Sequence, residues 1–123
     1  MIRGWSNPLS FLNGGGIVFT INGYSWNIVF VEPFSDYLMR SDGSLTVGVT
    51  DFPKHTVFLS NLLKGAFLRK VLCHELTHCF CFSYNITLAI EEEERMADFI
   101  SLYGTDLIYL LDDLMAMLKS SVA

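Results

Sequence analysis

The apolar residues change their period once along this chain, near residue 60, and that change limits the folds open to it. Before it, short β-branched and aromatic runs alternate with turn residues. "GIVFTI" (16–21) and "SWNIVFVE" (25–32) read as two strands, and Asn22-Gly23 between them is a hairpin signal. "LTVGVTD" (45–51) and "TVFLS" (56–60) read as a second hairpin across "FPKH", after a loop-like stretch with room for one helical turn. After it, Leu63, Phe67, Val71, His74 and His78 recur at helical spacing. Ser60 or Asn61 is the expected N-cap, and the helix should run to about Ser83. "YNIT" makes a turn, and "EEEERMADFISLY" a second helix with carboxylates in its first turns, where the helix dipole favours them. Gly104 is expected to stop that helix. Thr105 and Asp106 then start a third, whose Leu107, Leu110, Leu111, Leu114 and Leu118 form an apolar stripe. Strands gathered in one half and helices in the other predict an α+β fold. It is a small, mostly antiparallel sheet packed on the first helix and two further helices, in one domain over residues 1–123.

Composition narrows the function. At 51% hydrophobic residues the chain can bury a core without staples, and the apolar excess points to a dense core or an oligomer interface such as a homodimer. Eight basic residues against thirteen acidic ones leave a net charge of -5, and no basic cluster appears. Sequence-independent nucleic-acid binding needs the opposite balance. The three cysteines, Cys73, Cys79 and Cys81, fall within one expected helix, where disulfide geometry is rarely met. They predict reduced thiols and a cytoplasmic protein. Residues 1–19 are broken by Asn, Pro and Gly, unlike a signal peptide. No run approaches the roughly 18 apolar residues of a membrane span.

Chemistry concentrates in "VLCHELTHCF", residues 71–80. His74 and His78 are four apart, so a helix stacks them on one face. Two imidazoles placed so can bind one tetrahedral zinc. Glu75 lies about 100° round the helix, beside that face. From there it can take a proton from a water polarised by the metal. Leu76 and Thr77 turn toward the packing side. The other reading is an ordinary helix that carries two histidines. The His-Glu-x-x-His pattern arises by chance about once in a few hundred chains of this length.

A catalytic zinc needs a third protein ligand and an open position. The candidates lie in "EEEERMADF", residues 91–99. Glu94 and Asp98 are four apart and share a face. Glu94 is the expected ligand. Asp98, one turn on, is placed to accept a hydrogen bond from a ligating imidazole and fix its tautomer. Glu92 and Glu93 are expected to point more to solvent. Glu93 and Glu91 are the fallback ligands should Glu94 not reach.

"VLCHELTHCF" followed by "EEEERMADFISLYG" resembles the small phage- and prophage-type zinc metallopeptidases. More distantly it is similar to the ImmA/IrrE-type metallo-endopeptidases of the gluzincin group. The resemblance covers roughly residues 45–110, and its specific part is the motif and the helix after it. It implies His74, His78 and Glu94 as zinc ligands and Glu75 as general base. Glu94-Arg95-Met96-Ala97-Asp98-Phe99 matches the Glu-x-x-Ala-Asp/Asn-Phe-like pattern of those relatives. It also implies a short sheet beside the active helix with an edge strand along the cleft, for which "TVFLS" is the candidate; the other reading of that segment is a buried strand that meets no ligand. Two departures stand out: cysteines flank both histidines, and no helix-turn-helix is recognisable. Substrate choice in the larger relatives therefore does not transfer.

The expected function is zinc-dependent hydrolysis of a peptide bond in a peptide or protein substrate. The alternative is a non-catalytic, zinc-stabilised protein-binding module on the same scaffold, against which a base at Glu75 argues. Cys81, three residues after His78, is a further conceivable ligand, though a buried small hydrophobe is the plainer reading. His55, Tyr84 and Tyr103 are candidate donors to an oxyanion.

Overall fold

The structure, a computed structural model, describes residues 10, 11 and 16–122. Most of the expectation about residues 1–19 lies outside the described residues.

Strand β1 is Ser10–Phe11, β2 Ile17–Ile21, β3 Tyr24–Val31, β4 Gly48–Asp51 and β5 Thr56–Ser60. They form one sheet in the order β1-β2-β3-β5-β4. The β2–β3 turn is the expected Asn-Gly hairpin, with φ of 48° at Asn22 and 84° at Gly23. Both central residues of a type I′ turn need positive φ, which Asn tolerates and Gly adopts freely. β4 and β5 form the second hairpin. β5 inserts between β4 and β3, pairing parallel to β3 from Asn27↔Thr56 to Val31↔Ser60. The sheet is therefore mixed, with three antiparallel pairings and one parallel.

That insertion corrects the expected edge. "TVFLS" is a central strand, paired on both sides and buried at all five positions. Continuous apolar burial suits a strand covered on both faces. The edge along the helix is β4.

One face of the sheet carries Phe19, Ile21, Trp26, Ile28, Val57 and Leu59 into the core, where Leu63 and Cys79 join them. Trp26 is fully buried and donates its indole N–H to Ser83 Oγ at 2.9 Å. This ties the sheet to the far end of the first helix. On the opposite face, a 3₁₀ turn over Asp36–Leu38 stacks Tyr37 on Phe58 and buries Leu38.

Helix α1 spans Gly65–Ser83. It starts later than expected because Ser60 is used in a turn. Its Oγ accepts from the Leu62 N–H, and its carbonyl accepts from the Leu63 N–H. Lys64 takes the cap position and makes no side-chain cap bond. The helix ends in a Schellman motif. Asn85 adopts φ 56°, and the Ile86 N–H reaches back to the Cys81 carbonyl at 2.8 Å.

Helix α2 spans Ile90–Val122 without interruption. This replaces the expected second and third helices by one. Gly104 does not stop it, since a mid-helix glycine costs about 1 kcal/mol, less than breaking and renucleating a helix. Nor does Thr105 cap a new one: its hydroxyl accepts from the Arg69 guanidinium at 3.2 Å. At 33 residues α2 is about 50 Å long against about 28 Å for the 19 residues of α1. It returns antiparallel along α1 and then runs past its start. Among the described residues, no helix is long and apolar enough to cross a membrane.

Candidate metal centre

Helix α1 presents His74 and His78 on one face, their ring centroids 5.0 Å apart and Nε2 3.3 Å from Nε2. Because α2 runs antiparallel beside them, its first three turns bring three carboxylates to the same place. Glu94 Oε1 lies 2.9 Å from His74 Nε2 and 3.5 Å from His78 Nε2. Asp98 Oδ1 lies 3.0 Å from His74 Nδ1, and Glu93 Oε2 lies 2.6 Å from His78 Nδ1.

Those last two contacts decide what the rings can do. The Glu93 carboxylate accepts from His78 Nδ1 and keeps the proton there, which leaves the His78 Nε2 lone pair free to ligate, and Asp98 faces the same nitrogen of His74. Both Nε2 atoms face Glu94 Oε1. Three ligand atoms thus stand 2.9, 3.3 and 3.5 Å apart. Bonds of about 2.0–2.1 Å to a tetrahedral ion set ligand atoms about 3.4 Å apart. His74, His78 and Glu94 could therefore hold a metal ion with little rearrangement.

Glu93 departs from its expected solvent-facing position. Its side chain is only 18% exposed, and it hydrogen-bonds His78 Nδ1, while the more exposed Asp98 stands at His74 Nδ1. The reason is the helix crossing: the residue before Glu94 comes level with the histidine one turn along α1. Glu91 is exposed and makes no part of the group. Glu92 closes the start of α2, its Oε1 accepting from the Ala89 N–H at 3.2 Å.

Glu75 is buried beside the pair and is held by the edge strand. Its Oε1 accepts from Thr50 Oγ1 at 2.7 Å. Gly48 allows that approach: a Cβ there would come within 2.8 Å of Val71 Cγ1 and 3.4 Å of Glu75 Cγ. Met39, Arg40, Thr50, Phe52, Leu88 and Ile90 are among the residues that line, with His74, Glu75 and His78, a cleft of about 460 Å³. Phe52 sets its ring edge-on to His78, centroids 6.4 Å apart. Sequence reasoning missed Gly48, Thr50 and Phe52. The alternation of "GVTD" places Gly48 and Thr50 on one face, but nothing in the sequence says which face meets the helix.

The lesser candidates lie elsewhere. His55 stacks on Trp26 at 4.6 Å, with Nδ1 3.1 Å from the Ser25 carbonyl. Tyr84 stacks on Phe80, and Tyr103 packs on Phe99; neither lines the cleft. Cys81 is buried and stands outside the ligand group. Burial, reinforced by the Glu93 carboxylate, pushes its thiol up. Burial also raises the thiols of Cys79 and Cys73, so all three free cysteines stay protonated near neutral pH.

No protein-family model, curated protein or solved structure matches the chain, so the chemistry of this centre is read from its own residues.

Proposed function

We propose that this chain is a zinc-dependent metallopeptidase. The observation that carries the reading is the convergence of His74 Nε2, His78 Nε2 and Glu94 Oε1 at tetrahedral spacing, with the buried carboxylate of Glu75 adjoining and a cleft in front. Two imidazoles and one carboxylate suit zinc, and three protein ligands leave a position open for chemistry. Zinc, when bound, supplies Lewis acidity toward a water and toward the carbonyl of a scissile peptide.

The chain's own residues do the rest. Glu93 accepts from His78 Nδ1 and Asp98 faces His74 Nδ1, so each carboxylate favours a ring that presents Nε2. Glu75 takes the proton of the attacking water and returns it to the leaving amine. Thr50 Oγ1 fixes the orientation of that carboxylate. β4 pairs only with β5 among the described strands, so its other edge can accept a substrate main chain as an added strand. Phe52, Leu88 and Ile90 offer apolar surface to its side chains. The three free thiols accord with a reducing, cytoplasmic setting.

The test combines metal analysis with a peptide-library digest. Wild-type protein should carry about one zinc per chain and cleave peptides. Glu75→Gln should keep the metal and lose about 100-fold or more in rate. Cleavage undiminished in Glu75→Gln would overturn its role as base. Metal retained with no cleavage by wild type would favour a zinc-stabilised binding module.

A further inference from the structure

Helix α2 carries one apolar seam along most of its length. Ala97, Ile100, Gly104, Leu107, Leu111, Leu114 and Leu118 follow one another at alternating spacings of three and four, the a/d pattern of a coiled coil. Helix α1 covers the first part. Ala97 is fully buried there, and Ile100 and Gly104 are half-buried. Arg69 meets Thr105 only four residues from the start of α1, so α2 then runs on past α1 for about a dozen residues, about 20 Å. Leu107, level with the first turn of α1, and Leu111, Leu114 and Leu118 beyond it are 45–55% exposed. Ile108, Leu110 and Met115, which flank the seam, are 46–57% exposed. The charged residues Asp106, Asp112, Asp113 and Lys119 lie on the back of the helix at this pitch.

We infer that the projecting half of α2 pairs antiparallel with the same segment of a second copy of this chain. The sequence is self-complementary in that sense. A two-fold axis between Asp112 and Asp113 sets Leu107 against Leu118 of the second copy and Leu111 against its Leu114, four leucine layers in all. Antiparallel pairing brings only the last two turns of the second copy's helix level with the first turns of α1. Parallel pairing would force the two α1 helices, which occupy that seam, into each other. The area suffices: at roughly 90 Å² for each half-exposed side chain the seven present about 600 Å², most of the roughly 800 Å² per partner of a standard interface. A lipid surface fits less well, because the helix's back is acidic where interfacial helices carry Lys and Arg.

The experiment is light scattering on the full chain up to about 100 μM, with Leu111→Asp, Leu118→Asp and neutral vesicles as comparisons. Twice the chain mass of 13.9 kDa is expected for wild type, and a single chain mass for Leu111→Asp with helical circular dichroism retained. Leu118→Asp, near the helix tip and clear of the body, should shift the dimer the same way even if Leu111→Asp perturbs folding. Wild type of single-chain mass throughout, dimers that survive both substitutions, or a single chain that binds vesicles through this helix would each overturn the proposal. Zinc content should be the same in all three proteins, which separates this outcome from any failure of the peptidase reading.

Discussion

The two halves of α2 share one helical pattern and differ in what they touch. Residues 90–106 lie along α1 and deliver Glu93, Glu94 and Asp98 to its histidines, with Ala97 pressed flat between. Residues 107–120 are exposed throughout, leucines included. In the first half the identity of each side chain is tied to a distance. In the second only apolar character is specified. A helix of this length can thus serve a centre that needs placement to tenths of an ångström and, two to three turns later, offer a surface that does not. The comparison can be tested by substitutions that act on one half and spare the other.

The largest effect is expected at Glu94. Glu94→Ala removes one of three ligand atoms, and zinc affinity should fall by about 100-fold or more. Leu114→Ala, in the exposed half, should leave affinity unchanged. Titration with a competing chelator measures both. Equal affinity in Glu94→Ala and wild type would mean that the near half does not carry the third ligand. Next come the carboxylates behind the rings. Glu93→Gln and Asp98→Asn keep shape but lose the charge at Nδ1, and each should cost about 10- to 100-fold in affinity. Of the two, Glu93→Gln should cost more, since Glu93 is the less exposed and makes the shorter contact, 2.6 against 3.0 Å.

The near half also depends on close packing. Ala97→Leu would drive a larger side chain into the α1–α2 contact and lower stability by about 1–3 kcal/mol. It should weaken metal binding as well, because Glu94 and Asp98 move with the helix. Urea denaturation and the same chelator titration check the pair of effects. Lost stability with intact affinity would show that the centre tolerates displacement of α2.

This contrast also explains what could be read from residue order. The hairpin at Asn22-Gly23, the helix bearing His74 and His78, and the shared face of Glu94 and Asp98 all follow from local spacing, and the structure shows each of them. What local spacing does not encode is pairing between distant segments. The β3–β5 pairing makes "TVFLS" central and β4 the edge, and it joins residues about 29 apart. Thr50 reaches Glu75 only because of that topology. Likewise Glu93 turns inward because of the crossing of two helices, which neither helix's own pattern fixes. Gly104 and Thr105 read as a stop and a restart because their local signals are those of a boundary. The helix continues because a glycine costs less than a break, and Thr105 turns its hydroxyl to Arg69 across the interface instead of capping.

Gly104 marks where the two halves meet, and Gly104→Ala should have the smallest effect. Its φ is not in the left-handed region, so alanine meets no backbone strain there. Replacing a helix-interior glycine by alanine is worth about 0.5–1 kcal/mol in favour of the helix. Against this, the new Cβ would lie 3.2 Å from Ile100 Cγ2, and a β-branched side chain has little rotamer freedom in a helix to move away. The contact is with a single methyl group and needs a shift of only a few tenths of an ångström. The helix term should therefore win, leaving a net gain of about 0.5 kcal/mol and a midpoint raised by about 2 °C. Thermal unfolding measures it, and metal affinity should not change. A rise would mean that the junction is loose and that stiffening it joins the two halves more firmly. A fall would mean that Ile100 is wedged against α1 and that the glycine keeps room for it, so that the near half's close packing extends one turn further than Ala97.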